Sequence, residues 1–444
     1  MKTGPLVQTP SNPAHERIDT DPLPIQRLSK VIVATALVGG LEIFDFTIFG
    51  FFAATIGEQF FPSTDPMTSL LLAAGTFGVG FFMRPLGAIS IGAYADRVGR
   101  RTAMTTTCWL MALGTAAIGF CPPFSAIGLA APVVVVLARA VQGFAAGGEL
   151  GAGASYLLEA GPVSRRGFRV SWQLAGQASA ALLGAMLGVL VTGTLSPANL
   201  ASWGWRIPFI VGLSVAPLAI YVRRQLREIP LPAVTDATHT RPRAPLVELW
   251  RDHRSTLILA TLTMIWHTVT VYVVVYYMPS YLMRVMHLPA AVGFRSAALS
   301  ALLLAIVSPV SGLLADRLPR RKPLVLATSG ATALLVVPVF MMITRAQGTL
   351  PLLLGVGAIC VLVALGTSVN LLLVLEALPA RVRASGLATS MAVAVALFGG
   401  TAQFVVTALI KWTGNPLSAA WYVALACTTS FCAFVLFKER THRG

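Results

Sequence analysis

The 444-residue chain is 56% hydrophobic and only 11% charged, with a mean hydropathy of +0.76, values outside the range of soluble globular domains and characteristic of a membrane protein. The net charge of +16 does not require a nucleic-acid partner, because the basic residues cluster between apolar runs in the pattern of membrane topology. The five cysteines, Cys108, Cys121, Cys360, Cys427 and Cys432, form no CxxC pair and lie in or beside apolar runs, so buried thiols are expected, without metal, disulfide or cofactor.

Residues 1–30 hold five prolines and several charges but lack the short apolar core of a signal peptide; they read as a disordered cytoplasmic tail from which nothing is cleaved. A bilayer core about 30 Å thick needs roughly 20 apolar residues per helix. Twelve such runs follow, at 31–57, 69–94, 102–120, 128–157, 170–194, 205–222, 255–282, 292–315, 322–343, 350–376, 384–410 and 417–437. The polar stretch 223–254 divides them six and six. The organisation predicted is thus an N-terminal bundle (31–222), a cytoplasmic linker (223–254), a C-terminal bundle (255–437) and a short tail (438–444).

With both termini inside, 26 of the 33 basic residues fall in the cytoplasmic segments, and only Arg206, Arg284, Arg295, Arg345 and Lys411 lie outside. This is the positive-inside asymmetry. Two motifs recur between the halves. "GAYADRVGRR" at 92–101 returns as "GLLADRLPRR" at 312–321, and "LEAGPVSRRG" at 158–167 returns as "LEALPARVRASG" at 375–386. Repetition at nearly one offset predicts an all-α membrane protein of twelve transmembrane helices in two pseudo-symmetric six-helix bundles, with substrate held between them and access alternating by rocking. In the repeated loops, Asp96 and Asp316 can accept bonds from arginines or helix N-termini. Together with Arg97, Arg100, Arg101 and Arg317, and with Glu159 and Glu376 as latches, they form the candidate cytoplasmic gate.

The first run contains "GGLEIFDFTIFG", which places Glu42 and Asp45 three residues apart on one helix face. At about 1.5 Å rise per residue, Glu42, Asp45, Arg84, Glu149 and His267 all fall roughly 15–21 Å from the cytoplasmic side. A charge at that depth costs at least about 2.5–3.5 kcal/mol, so several at one level imply a hydrated, mutually compensated cavity. Asp45, Glu42, Glu149 and Arg139 are the candidates for proton coupling; the acids could instead be fixed ion pairs with Arg84 or Arg139. By rise alone Arg139 lies about 30 Å from Glu159, nearer the outside than the acids unless the glycines after it bend the helix. Candidate substrate contacts are Arg84, whose planar guanidinium suits a carboxylate, with Gln142, Gln173, His267, Tyr276 and Asn370. Trp203 and Trp205 read as interfacial anchors beside a snorkelling Arg206.

"GAYADRVGRR" and "RAVQGFAAGG" resemble signature motifs of the major facilitator superfamily. "LEIFDF", "FFMRPLGA", "GGELGAG", "WGWRIPF" and "VRASGLATSMAVAVALFGG" are similar to its metabolite:proton symporter branch, and "ELGAGASYLLEA", "SWQLAGQ" and "TGNPLSAAWY" to its citrate and tricarballylate symporters. The resemblance spans residue 30 to the end. It implies proton-driven uptake of a small organic anion by a monomeric multi-pass protein of a bacterial inner membrane, with Asp45, Glu42 and Arg139 in coupling and Arg84 at the substrate. Gly39 and Ala392 stand where many members carry Asn, and Pro319 where the loop motif usually has Gly, which leaves citrate itself open. A proton-driven exporter of drugs or metabolites shares these features. A membrane enzyme or receptor does not fit, since no metal-ligand cluster, nucleophile elbow, nucleotide loop or sizeable soluble domain is present in the sequence.

Overall fold

The structure is a computed structural model, and it describes residues 32–33, 40, 43–98, 100–147, 157–158, 162–214, 217, 245–345 and 348–439. Every regular element among them is helical. The first half contributes α1 (43–51) and α2 (Ala53–Phe60), joined through Phe52, then α3 (Pro66–Val98), α4 (Arg100–Gly119), α5 (Ala130–Gly147), α6 (Arg166–Thr194) and α7 (207–214). The second half opens with α8 (Pro245–Asp252) and continues through α9 (Arg254–Val271), a π-helical turn at Tyr272–Tyr277 and α10 (Met278–Arg284). It is completed by α11 (Ala290–Arg317), α12 (Lys322–Arg345), α13 (Thr349–Ala377), α14 (Ala380–Ala394), a π-helical turn at Val395–Gly399, α15 (Ala402–Thr413) and α16 (Ser418–Leu436).

Nine helical segments among the described residues are long and apolar enough to cross a bilayer. They coincide with predicted spans two, four, five and seven to twelve. The first and sixth spans fall partly outside the described residues, and the third, α4, is more polar, carrying Thr102, Thr105, Thr106 and Thr107. The predicted tail 1–30 and linker residues 223–244 lie outside the described residues. Within the linker's remainder the structure differs from the expected polar connection: α8 is an amphipathic helix that buries Leu249 near Leu378 and Gly386 and leaves Trp250 exposed.

The pattern of burial is that of a protein solvated by lipid. Large apolar side chains such as Leu113, Leu183, Leu334, Leu354 and Leu425 are exposed, while Thr76, Arg84, Arg139, Gln142, Ser300 and Gln403 are buried. Polar groups turned inward mark the path of an ion or substrate.

Two close crossings set the frame. In the first, α3 and α5 approach until a Cβ at Gly143 would lie 1.8 Å from the Gly80 carbonyl oxygen, so only small residues permit the contact. No rotamer can relieve a clash with backbone, and Gly143→Ala is expected to lower stability by about 3 kcal/mol or more, read as a fall in the melting temperature of detergent-purified protein. The second joins the halves. Helices α6 and α11 run together from Gly167 against Gly312 at the basic end to Gly188 against Phe294 at the opposite end.

Candidate functional site

Asp45 lies on α1, which carries no other described acid and buries Phe44, Phe46, Ile48 and Phe49 around it. Its carboxylate Oδ2 accepts a hydrogen bond from the Thr115 hydroxyl of α4 at 2.7 Å. The hydroxyl in turn accepts from Gln142 Nε2 at 2.9 Å, and Gln142 Oε1 accepts from Arg139 Nη1 at 2.9 Å. A continuous chain, Arg139 to Gln142 to Thr115 to Asp45, therefore connects a buried cation to a buried acid through α5, α4 and α1. Room for the carboxylate comes from Gly212 of α7, where a Cβ would sit 2.9 Å from Asp45 Oδ1.

Thr115 is the variable link. Its single proton has two acceptors within reach, Asp45 Oδ2 and the Met111 carbonyl at 3.0 Å. An ionised carboxylate is the stronger acceptor; a protonated one frees the hydroxyl to turn back to its own helix. The donor direction of Thr115 can thus follow the charge on Asp45 without movement of backbone, while its oxygen continues to accept from Gln142.

Phe46 connects this chain to Arg84. The Arg84 guanidinium lies 4.6 Å from the centre of the Phe46 ring and 4.7 Å from that of Phe81. Arg139 lies 4.5 Å from the same Phe46 ring, 4.5 Å from Phe49 and 5.3 Å from Phe77. Stacking on ring faces holds a guanidinium in place. The same helix crossing sets the placement of Arg139: it lies against Phe46 and Phe49, one and four residues past Asp45 on α1, about a turn further from the basic end than Arg84. Gly80 faces Arg139 and Gly147 faces Arg84, which sets α5 abreast of α3.

Of the other residues singled out in the sequence, Glu42, Glu149 and Glu159 lie outside the described residues. Tyr276 meets Phe51 of the first half edge-on at 6.0 Å and Tyr272 at 5.2 Å. Asn370 is used within the second half, its amide donating to the Thr263 carbonyl at 2.8 Å. Gln173 and His267 are half-buried, and the Gln173 side-chain oxygen is buried without a hydrogen-bond partner. Sequence reasoning did not single out Thr115 or Phe46; a threonine among small apolar residues and a phenylalanine in an aromatic run carry no signal of their own.

At the basic end, Asp316 accepts from the backbone N–H groups of Gly167 at 2.7 Å and Phe168 at 2.9 Å. An acid from the second half thus caps the N-terminus of α6 in the first, a favourable position for negative charge. Arg317 is exposed, and Glu376 pairs with Arg321 inside the second half. The backbones at Asp96, Arg97, Arg100 and Arg101 are helical, and their side chains lie outside the described residues. Arg169, read from sequence only as a topology-setting charge, is buried and donates to the carbonyls of Leu157, Leu158 and Pro162. It fastens the corner before α6.

At the opposite end, two of the cations expected on the outside join the halves. Arg284 pairs with Glu58, and Lys411 pairs with Asp65 at 2.8 Å and contacts Thr68. The hydrogen bond from Lys411, with those from Thr68 and the Met67 N–H, lowers the Asp65 carboxyl to about 2 from an ordinary 3.8. A lowered acid contributes its pairing above its ordinary value and loses it only as pH falls through the shifted one. This latch accordingly stays charged from pH 8 down to about 4. Lys411→Gln is expected to raise labelling of a cysteine at position 51 by an impermeant thiol reagent by no more than about fivefold, the ceiling for an exposed pair, and equally at pH 5.5 and 7.5.

The fold and this layer define a multi-pass helical membrane protein whose halves enclose buried, cross-connected charges. The chain belongs to the Major Facilitator Superfamily, whose family model matches residues 35–400. It is 34% identical over 419 residues to a citrate-proton symporter of Salmonella typhi, covering 91% of this chain and 92% of that one. It is 33% identical over 402 residues to an alpha-ketoglutarate permease of Escherichia coli K12, with 90% and 91% covered. A proline/betaine transporter of the same strain is 30% identical over 426 residues, with 94% and 85% covered. Among solved structures, the xylose transporter XylE from E. coli in a partially occluded inward open conformation superposes with a TM-score of 0.73 at 15% identity, covering 94% of this chain and 100% of that one. That likeness concerns the fold.

Proposed function

We propose that the protein is a proton-coupled secondary transporter that imports a di- or tricarboxylate of the citrate, tricarballylate or aconitate type by alternating access. In this reading it is not an enzyme. It works as a monomer of twelve membrane helices in two six-helix halves, with both termini on the cytoplasmic face of a bacterial inner membrane. The observation that carries the reading is the chain from Asp45 through Thr115 and Gln142 to Arg139, which shares the Phe46 ring with Arg84. An acid that takes up a proton beside cations that attract an anion links the two binding events, because each changes the field felt by the other.

The energetics favour such a link. Each negative charge carried into a cell that is negative inside costs about 2.3 kcal/mol per 100 mV, so a polyanion needs accompanying protons. Asp45, with Glu42 and Glu149, takes the protons; Arg84, with Gln142, Gln173, His267, Tyr276 and Asn370 around the cavity, takes the anion. Asp316 of α11 where it caps α6, Asp96 with Arg97, Arg100 and Arg101, Arg317, and the Glu159 and Glu376 corners hold the cytoplasmic side closed until both are loaded.

The relatives leave a second solute class in view, another organic acid such as 2-oxoglutarate. Thermal-shift measurements on the purified protein separate the classes, since a ligand bound only by the native state raises apparent stability by about 2.7 kcal/mol at a hundredfold its Kd. Citrate, tricarballylate or aconitate is expected to raise the melting temperature by several degrees at pH 5.5. Stabilisation by betaine alone refutes the carboxylate reading.

A further inference from the structure

We propose that Gln403, on α15 of the second half, is a substrate ligand that pairs with a carboxyl or hydroxyl group of the acid at the end remote from Arg84. The inference rests on the carboxylate reading above and deepens it.

Gln403 is fully buried, and neither its side-chain oxygen nor its nitrogen has a hydrogen-bond partner. A carboxamide offers two donors and a two-lone-pair acceptor, and leaving such a group dry and unused opposes the closed arrangement. An apolar side chain of similar size would pack there without that cost. Its position explains the exception. Gln403 is the second residue of α15, directly after the π-helical turn Val395–Gly399 and the Gly400–Thr401 step, and irregular turns of this kind re-aim side chains at functional sites.

The amide reaches across to the first half. Gly50 of α1 has no side chain, and the Cβ it lacks would lie 3.1 Å from Gln403 Nε2, 3.5 Å from Phe77 and 3.5 Å from Tyr276. Phe77 is also a ring against which Arg139 lies, at 5.3 Å. One aromatic ring thus separates the arginine layer of the first half from an unused amide of the second. The interface between the halves is where alternating access places a substrate, and an acid held at one end by guanidinium would meet Gln403 at the other as the halves close. The NH2 group donates to a carboxylate oxygen, and the carbonyl accepts from a hydroxyl or a protonated carboxyl.

The test compares wild type with Gln403→Leu in proteoliposomes, using radiolabelled citrate and tricarballylate under an imposed proton gradient, together with melting curves. KM is expected to rise at least tenfold in the variant, with the maximal rate within about twofold of wild type and the melting temperature unchanged or higher. A wild-type KM overturns the assignment whatever the melting temperature, because it leaves the amide without a part in binding. If wild type takes up neither acid, the carboxylate reading falls and this inference with it. Should Gln403→Leu not fold, Gln403→Asn decides: the shorter amide retracts the contact and is expected to raise KM at least threefold, and a wild-type KM overturns the proposal.

Discussion

Asp45→Asn is expected to abolish uphill accumulation of substrate in vesicles carrying a proton gradient, by on the order of 100-fold, the upper end of coupling between two sites. The substitution is nearly isosteric, and an asparagine carbonyl can still accept from Thr115, so the chain to Arg139 keeps its geometry. What disappears is the ability to take up and release a proton. Exchange of internal for external substrate, which needs no net proton movement, is therefore expected to survive within about fivefold, a difference of roughly 1 kcal/mol. The two assays in parallel separate loss of coupling from loss of folding. If Asp45 serves only as a fixed counter-charge to Arg139, both activities change together, and uphill uptake persists to the extent that exchange does.

The parts of the molecule legible in the sequence are those with a periodic or compositional signature. The spans from 66 onward that the structure describes begin and end within a few residues of the helices, as with predicted 292–315 against Ala290–Arg317, because charges and prolines mark where the lipid ends. Asp316 was identifiable as an acceptor because its loop recurs, and the structure gives it a helix N-terminus in the opposite half. Relations between helices were not legible. Thr115 matters only because α4 faces both Asp45 and Gln142, and no spacing within one helix encodes that meeting. The level of Arg139 against α3 was not legible for the same reason: it is set by the Gly80–Gly143 crossing, a contact between segments some sixty residues apart. Gln403 escaped notice because a single uncharged glutamine inside the predicted span 384–410 calls for no compensating charge, and only its burial without a partner makes it conspicuous.

Arg84→Lys is expected to raise the KM for carboxylate uptake by 10- to 100-fold, about 1.4–2.7 kcal/mol, and Arg84→Leu to remove ligand-induced thermal stabilisation altogether. Charge is conserved in the lysine variant, so the effect isolates geometry. A guanidinium is planar and weakly hydrated; that of Arg84 lies over the rings of Phe46 and Phe81, and its edge can meet both oxygens of a carboxylate. An ammonium is compact and strongly hydrated, makes single rather than forked contacts, and draws water into a site lined by phenyl rings. If Arg84 instead only compensates the neighbouring acids, lysine substitutes for it with little change in KM, and the leucine variant fails through lowered stability in the absence of any ligand. Melting curves of both variants, with and without a tricarboxylate, distinguish these outcomes, since a binding role predicts the loss of the ligand-dependent shift and a compensating role predicts the loss of the baseline.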